Sequence, residues 1–146
     1  MEPVNFVNKG EILLGGHHVG TDVASRWDKF EREEKIAPLT NTVDGTGFEM
    51  RRSAPEGERI FAGVEVTDTN IPPNWELLVV PPAYYAAFEI DCGADIDRQF
   101  DGVDMWLHDN RDRYKRVKWA DGGAEYKIIW CGRYEKEKIC EVWIPV

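Results

Sequence analysis

The sequence lacks the cysteine and histidine patterns of disulfide frameworks and zinc sites. Its three cysteines, Cys92, Cys131 and Cys140, make an odd number without a CxxC spacing. The adjacent residues His17 and His18 have no third ligand nearby in the sequence, so we predict no metal site. The glycine-rich stretch around them has neither the GxGxxG nor the GxxxxGK spacing of a phosphate loop, and we predict no cofactor.

Long apolar runs and catalytic motifs are also missing. No apolar run approaches the roughly 18 residues of a membrane-spanning helix, and no charged-then-apolar leader opens the chain. We therefore expect a soluble, cytoplasmic protein that does not enter a membrane. There is no Gly-x-Ser-x-Gly elbow and no recognisable Cys–His pair, so no catalytic residue is predicted and binding is favoured over catalysis.

Basic charge is scarce as well. The chain has 18 Lys and Arg against 27 Asp and Glu, a formal net charge of −9. Nucleic-acid binding draws much of its affinity from neutralising phosphates, so this balance argues against direct nucleic-acid binding. The same negative field attracts cationic small molecules.

Aromatic residues, by contrast, are abundant. Six Trp, five Tyr and six Phe occur in only 146 residues. Large amphipathic rings at this density exceed the needs of a small core, so we expect some of them to line a binding surface.

The first half of the chain has the pattern β-α-β-β. A strand is predicted at Glu11–Gly15, after the apolar residues Val4, Phe6 and Val7. A helix capped by Asp22 follows, with Val23, Trp27 and Phe30 at helical spacing before Pro38. Two strands come next, joined by a Pro- and Gly-containing turn: Phe48–Arg52 and Arg59–Thr67.

The second half repeats this pattern after a proline-rich connector that contains Pro72, Pro73, Pro81 and Pro82. The predicted elements are a strand at Tyr84–Cys92, a helix capped by Asp95 with Ile96, Phe100, Val103 and Leu107 buried, and strands at Glu125–Cys131 and Ile139–Val146. We therefore predict a single α+β domain over residues 1–146. It is a duplicated β-α-β-β repeat, about 1–70 and 71–146, forming a curved antiparallel sheet with two helices on one side.

The order of these elements resembles the GyrI-like effector-binding domain family. The segments that carry the resemblance are Leu14-Gly15, Arg26–Phe30, Phe61–Val66, Tyr85–Glu89 and the terminal Glu141–Val146. The family includes the sensor domains of AraC- and MerR-type regulators, stand-alone multidrug-binding proteins (some encoded on integron cassettes), gyrase inhibitors and hydrolases of cyclopropane-bearing toxins. The resemblance implies the duplicated fold and a buried acidic residue under the ligand.

One departure concerns that acidic residue. In the family pattern it sits on the strand before the last, but here Glu125 stands at the very start of that strand and Lys127 occupies its middle. Glu65 and Glu141 interrupt otherwise apolar strands. If the valines of these strands face the helices, alternation places both acids on the other face. Either face of a curved sheet can form a cavity wall, so Glu65 and Glu141 rank equally as the pocket acid, with Glu89 and Glu125 behind.

The candidate ligand-binding residues combine these acids with rings from different elements, which only the fold can bring together. They are Trp27, Phe48, Phe61, Glu65, Tyr85, Phe88, Trp106, Tyr126, Glu141 and Trp143. A ring-lined pocket with a buried carboxylate suits cationic aromatic ligands. The predicted function is therefore a stand-alone binding module for cationic or amphipathic aromatic drugs and dyes.

Two alternatives stay open from the sequence. A hydrolase of strained electrophiles would use the same glutamate as general base. A gyrase-inhibitor-like protein would bind another protein instead. The predicted partner is a small molecule, with a homodimer or a partner regulator left open.

Overall fold

The computed structural model describes residues 1–19, 41–55, 57–118, 125–132 and 134–146. The helix predicted between Asp22 and Pro38, with Trp27, lies outside these residues. The described elements are β1 (Asn5–Lys9), β2 (Ile12–Val19), β3 (Thr42–Ala54), β4 (Gly57–Val66), β5 (Glu76–Val80), β6 (Ala83–Asp91), α1 (Ile96–Asp109), β7 (Tyr126–Trp130), the one-turn α2 (Tyr134–Glu137) and β8 (Ile139–Pro145).

All eight strands form one antiparallel sheet in the order β1-β6-β8-β7-β3-β4-β2-β5. The strand pairs at its two ends, β1–β6 and β5–β2, are joined by short connections. Gly10 and Glu11 link β1 to β2, and Pro81 and Pro82 link β5 to β6. Because an extended chain spans at most about 3.6 Å per residue, these links hold the two ends of the sheet near each other, and the sheet is strongly curled.

The long helix begins where the sequence predicts. The side chain of Asp95 accepts a hydrogen bond from the backbone N–H of Arg98 at 3.2 Å, which satisfies one of the free donors at the helix start. Val103 is buried, and Phe100 and Leu107 pack against the same cluster. Ile96, predicted to be buried, is 39% exposed in the position directly after the cap.

The two faces of the sheet have separate cores. On the outer face, α1 packs over β6 and β8; a separate cluster of Ala62, Val64, Val66 and Trp75 covers part of β4. The inner, concave face holds its own buried cluster, formed by Ile12, Leu14, Phe48, Met50, Phe61, Val80, Tyr85, Tyr126 and Ile128. Alternation along β4 and β8 therefore places Glu65 and Glu141 on this concave face, opposite to Val64 and Val142.

Two strands were missed by the sequence analysis. The apolar lead before the first predicted strand forms β1, and part of the proline-rich connector forms β5. Both lie at the edges of the strand order. Proline is tolerated beside an edge strand because one row of its backbone groups makes no ladder hydrogen bonds. The fold is thus α+β with a predominant sheet. None of the described helices is long and apolar enough to cross a membrane.

Candidate functional site

One transverse row of paired residues crosses the concave face. Gly16 pairs with Gly63, and Gly63 with Phe48 on its other side. Phe48 pairs with Trp130, Trp130 with Glu141, and Glu141 with Glu89. Directly opposed residues in antiparallel strands share a face. The row therefore runs from a glycine pair without side chains, through two rings, to two carboxylates.

A cavity of about 400 Å³ lies beside this row. This volume is within the range of small-molecule sites, roughly 300–1,000 Å³. Its described lining combines two carboxylates, two indoles and one ammonium group with small and apolar side chains: Lys9, Val43, Thr46, Glu65, Trp130, Gly132, Ile139, Glu141 and Trp143. Three predicted residues, Glu65, Glu141 and Trp143, thus line one cavity. Their role in ligand binding stays a prediction.

The two indoles form the aromatic wall. The rings of Trp130 and Trp143 lie 5.1 Å apart between centroids, at an interplanar angle of 58°. Each is backed by a fully buried ring: Phe48 lies 5.5 Å behind Trp130, and Tyr85 lies 5.5 Å behind Trp143. Phe48 and Tyr85, predicted to contact the ligand, therefore support the wall from the core.

The N–H groups of both wall indoles have no hydrogen-bond partner among the described residues. The Nε1 atoms of Trp130 and Trp143 are buried and make no hydrogen bond within the described part of the chain. A buried donor without an acceptor costs about 1–3 kcal/mol. Most buried polar side-chain groups in folded proteins are hydrogen-bonded, so these two N–H groups are exceptions among the described residues.

The two cavity carboxylates differ in their surroundings. Glu65, whose side chain is 13% exposed, has one oxygen 3.4 Å from the Nζ of Lys9. Glu141 is half-buried and has no ion pair or hydrogen bond to the residues that the structure describes. The register also sets Glu141 opposite Glu89, and like charges in that position repel. Of the two cavity carboxylates, Glu141 is therefore the one without a positive partner among the described residues.

The central lysine of β7 does not point into the cavity. The Nζ of Lys127 lies 4.6 Å from the ring centroid of Phe100 on α1, on the outer face. Burial there lowers the pKa of Lys127. Glu125 pairs with Arg116 at 3.0 Å and is absent from the described cavity lining. Lys127 and Glu125, the two residues by which this strand departs from the family pattern, therefore lie outside the described cavity lining, whose acids are Glu65 and Glu141.

The remaining predicted rings lie elsewhere. Phe61 is buried in the concave core with its ring against His18. Tyr126 is buried there too, its hydroxyl 3.5 Å from that of Tyr85, and burial raises the pKa of both phenols. Phe88 and Trp106 pack together on the outer face under α1.

The sequence analysis missed Lys9 as a cavity residue. Lys9 ends β1, at one end of the strand order, while Glu65 lies on β4 near the other end. Only the curl of the sheet brings them together, and no local pattern signals it. The position of Trp130, by contrast, is signalled by the sequence, because it lies two residues after the inward-facing Ile128 and therefore shares its face.

No family model and no curated protein matches this sequence. Solved structures do match its fold. SAV2435 bound to tetraphenylphosphonium has a TM-score of 0.71 at 17% identity, covering 100% of this chain and 94% of that one. A structure from Staphylococcus aureus MU50, described as that of a bacterial transcription regulation protein, has a TM-score of 0.66 at 18% identity. The match covers 97% of this chain and 96% of that one. The integron cassette protein VCH_CASS2 from Vibrio cholerae has a TM-score of 0.59 at 12% identity, covering 97% and 94%.

These similarities extend over nearly the whole chain and are similarities of fold. At that level they bear out the resemblance to GyrI-like effector-binding domains.

Proposed function

We propose that this protein is a binding module for small cationic aromatic molecules. The observation that carries the proposal is the cavity of about 400 Å³ in which two indole rings meet the uncompensated carboxylate of Glu141. Trp130 and Trp143 provide π faces, and Glu141 provides the negative charge.

The energetics of this arrangement favour a delocalised cation. A cation over an aromatic face gains about 0.5–2 kcal/mol. A carboxylate in a partly water-excluded cavity adds an attraction that is stronger than in bulk water. Neither contribution requires fixed hydrogen-bond geometry, so the cavity suits a range of ligand shapes.

One structural neighbour supports the same ligand class. SAV2435 binds tetraphenylphosphonium, a cation whose charge is surrounded by four phenyl rings. We transfer that ligand class to this chain because its own cavity combines aromatic and acidic groups.

The test compares a cation with an anion of nearly the same shape and with a smaller neutral relative. Tetraphenylphosphonium is the cation, tetraphenylborate its anionic counterpart, and triphenylphosphine oxide a related neutral molecule. Isothermal titration calorimetry measures each Kd, and quenching of tryptophan fluorescence reports on the indole wall. We expect binding of the cation and at least tenfold weaker binding of the other two, about 1.4 kcal/mol. Equal binding of cation and anion would refute the proposal.

We also propose that the domain consists of two β-α-β-β repeats, about 1–70 and 71–146. From the central β3–β7 pair, the strand order is β4-β2-β5 on one side and β8-β6-β1 on the other. The registers match too, since Gly63 lies opposite Phe48 as Glu141 lies opposite Trp130. The sequences agree with this register, because aligning Ala62–Val66 with Cys140–Ile144 sets Gly63 against Glu141.

The hydrolase alternative stays a prediction. It would use Glu141 as general base, and turnover of a cyclopropane-bearing aromatic substrate that Glu141→Gln abolishes would support it.

A further inference from the structure

We infer that Lys9 sets the charge preference of the cavity: by neutralising Glu65 it leaves a single uncompensated carboxylate, so that the site prefers monocations to dications. This inference rests on the proposed cation-binding function and adds to it a selectivity residue.

The geometry gives Lys9 the position of a tethered cation. Its Nζ lies 3.4 Å from an oxygen of Glu65, and both residues line the cavity. The side chain of Glu65 is only 13% exposed, so its charge is largely withdrawn from water. A carboxylate in that environment needs a positive partner, and Lys9 supplies one from within the chain.

The pairing divides the cavity into two electrostatic halves. Around Glu65 the ammonium and the carboxylate compensate each other. Around Glu141 no positive side chain of the described residues pairs with the carboxylate. Glu89, directly across the strand pair, is exposed and lies outside the described cavity lining, so it does not add a second carboxylate to the cavity. One ligand charge is therefore satisfied at Glu141, whereas a second would meet a carboxylate already paired and a repelling ammonium.

The test uses two ligands that share a scaffold and differ in charge. The monoquaternary N-benzyl-4,4′-bipyridinium carries one positive charge, and the diquaternary N,N′-dibenzyl-4,4′-bipyridinium carries two. Calorimetry gives both affinities for the wild-type chain and for Lys9→Met, which removes the charge and retains an unbranched side chain. We expect Lys9→Met to raise the affinity ratio of dication to monocation at least about tenfold, because a second carboxylate becomes available.

Two control variants separate the local effect from net charge. Lys115→Met removes one positive charge at an exposed position outside the described lining, and its affinity ratio should equal that of the wild type. Lys9→Arg retains the charge and should retain the preference for the monocation. A ratio that rises equally in Lys9→Met and Lys115→Met would overturn the inference.

Glu65→Gln provides a second, independent test. It leaves the ammonium of Lys9 without its partner, so binding of the monocation should weaken about tenfold. Adding Lys9→Met to Glu65→Gln should restore that binding, and such a coupling identifies the pair as the cause. Absence of restoration would overturn the inference. Thermal unfolding checks that each variant is folded.

The measurements distinguish failure of the proposed function from failure of the inference about Lys9. If the wild-type chain binds neither bipyridinium nor tetraphenylphosphonium, the proposed function fails and this inference with it. If the wild type binds the monocation while Lys9→Met leaves the ratio unchanged, only the inference about Lys9 fails.

Discussion

Replacing Glu141 by glutamine is the most direct perturbation of the proposed cation site. Glutamine retains the size of the side chain and its place in β8, opposite Trp130 and Glu89. It removes the negative charge that no described residue compensates. The substitution also relieves the repulsion from Glu89, so folding should not suffer.

The expected loss follows from the position of the carboxylate. Two unit charges 4 Å apart interact by about 1 kcal/mol in water and about 4 kcal/mol at an effective dielectric constant near 20. Glu141 is half-buried and lines an open cavity, so its contribution lies between these limits. We expect a loss of about 2 kcal/mol, or about thirtyfold in the Kd for tetraphenylphosphonium.

The matched control is Glu125→Gln. It makes the same chemical change one strand away, at a side chain that is 45% exposed and paired with Arg116. Calorimetry at constant ionic strength should show almost no change in affinity for this variant, because exposed ion pairs contribute little. Equal losses for Glu141→Gln and Glu125→Gln would mean that only the net charge of −9 matters, and would refute the local argument.

Three further predictions concern the wall, the glycine pair and the thiols. Trp143→Leu should weaken cation binding by about 0.5–2 kcal/mol, because it removes the aromatic face. Trp143→Phe retains a ring and should weaken binding less, and calorimetry on both variants checks this order. Gly63→Ala should lower the free energy of unfolding by at least about 2 kcal/mol, because the added Cβ would overlap the backbone of Gly15 and Gly16, whereas Gly10→Ala meets no atom within 4 Å. Diamide, which takes up two electrons and two protons, should oxidise the Cys92 and Cys140 thiols to a disulfide, because their sulfurs lie 3.4 Å apart. The rate of disulfide formation should still rise above pH 9, because burial and the Cys140 hydrogen bond raise the pKa of Cys92 to about 11. Mass spectra should show that Cys140→Ser abolishes this disulfide.

The periodicity of apolar residues predicted most of the described helices and strands, because side-chain alternation in a strand and the turn of a helix depend only on a short segment. The alternation of β4 and β8 places Glu65 and Glu141 on the face opposite to Val64 and Val142, and the structure has them there. Helix α1 begins at the predicted cap, since a capping hydrogen bond spans only three residues. Signals of this kind do not depend on the rest of the chain.

Periodicity could not distinguish a ring in the cavity wall from a ring behind it. Phe48 and Trp130 are neighbours in one transverse row and share a face, yet Phe48 is fully buried while Trp130 lines the cavity. The difference depends on where the curled sheet closes. That closure depends on strand pairing across the chain, so the candidate list included Phe48 and omitted Trp130.

The same closure determines which of the two acids is free to meet a ligand. In the sequence Glu65 and Glu141 have the same local pattern, each an acid within an apolar strand. The two-residue link between β1 and β2 carries Lys9 to the Glu65 side of the cavity, and the described structure has no such link beside Glu141. A long-range connection thus makes two locally similar acids unequal, and the cation preference proposed for this cavity follows from that inequality.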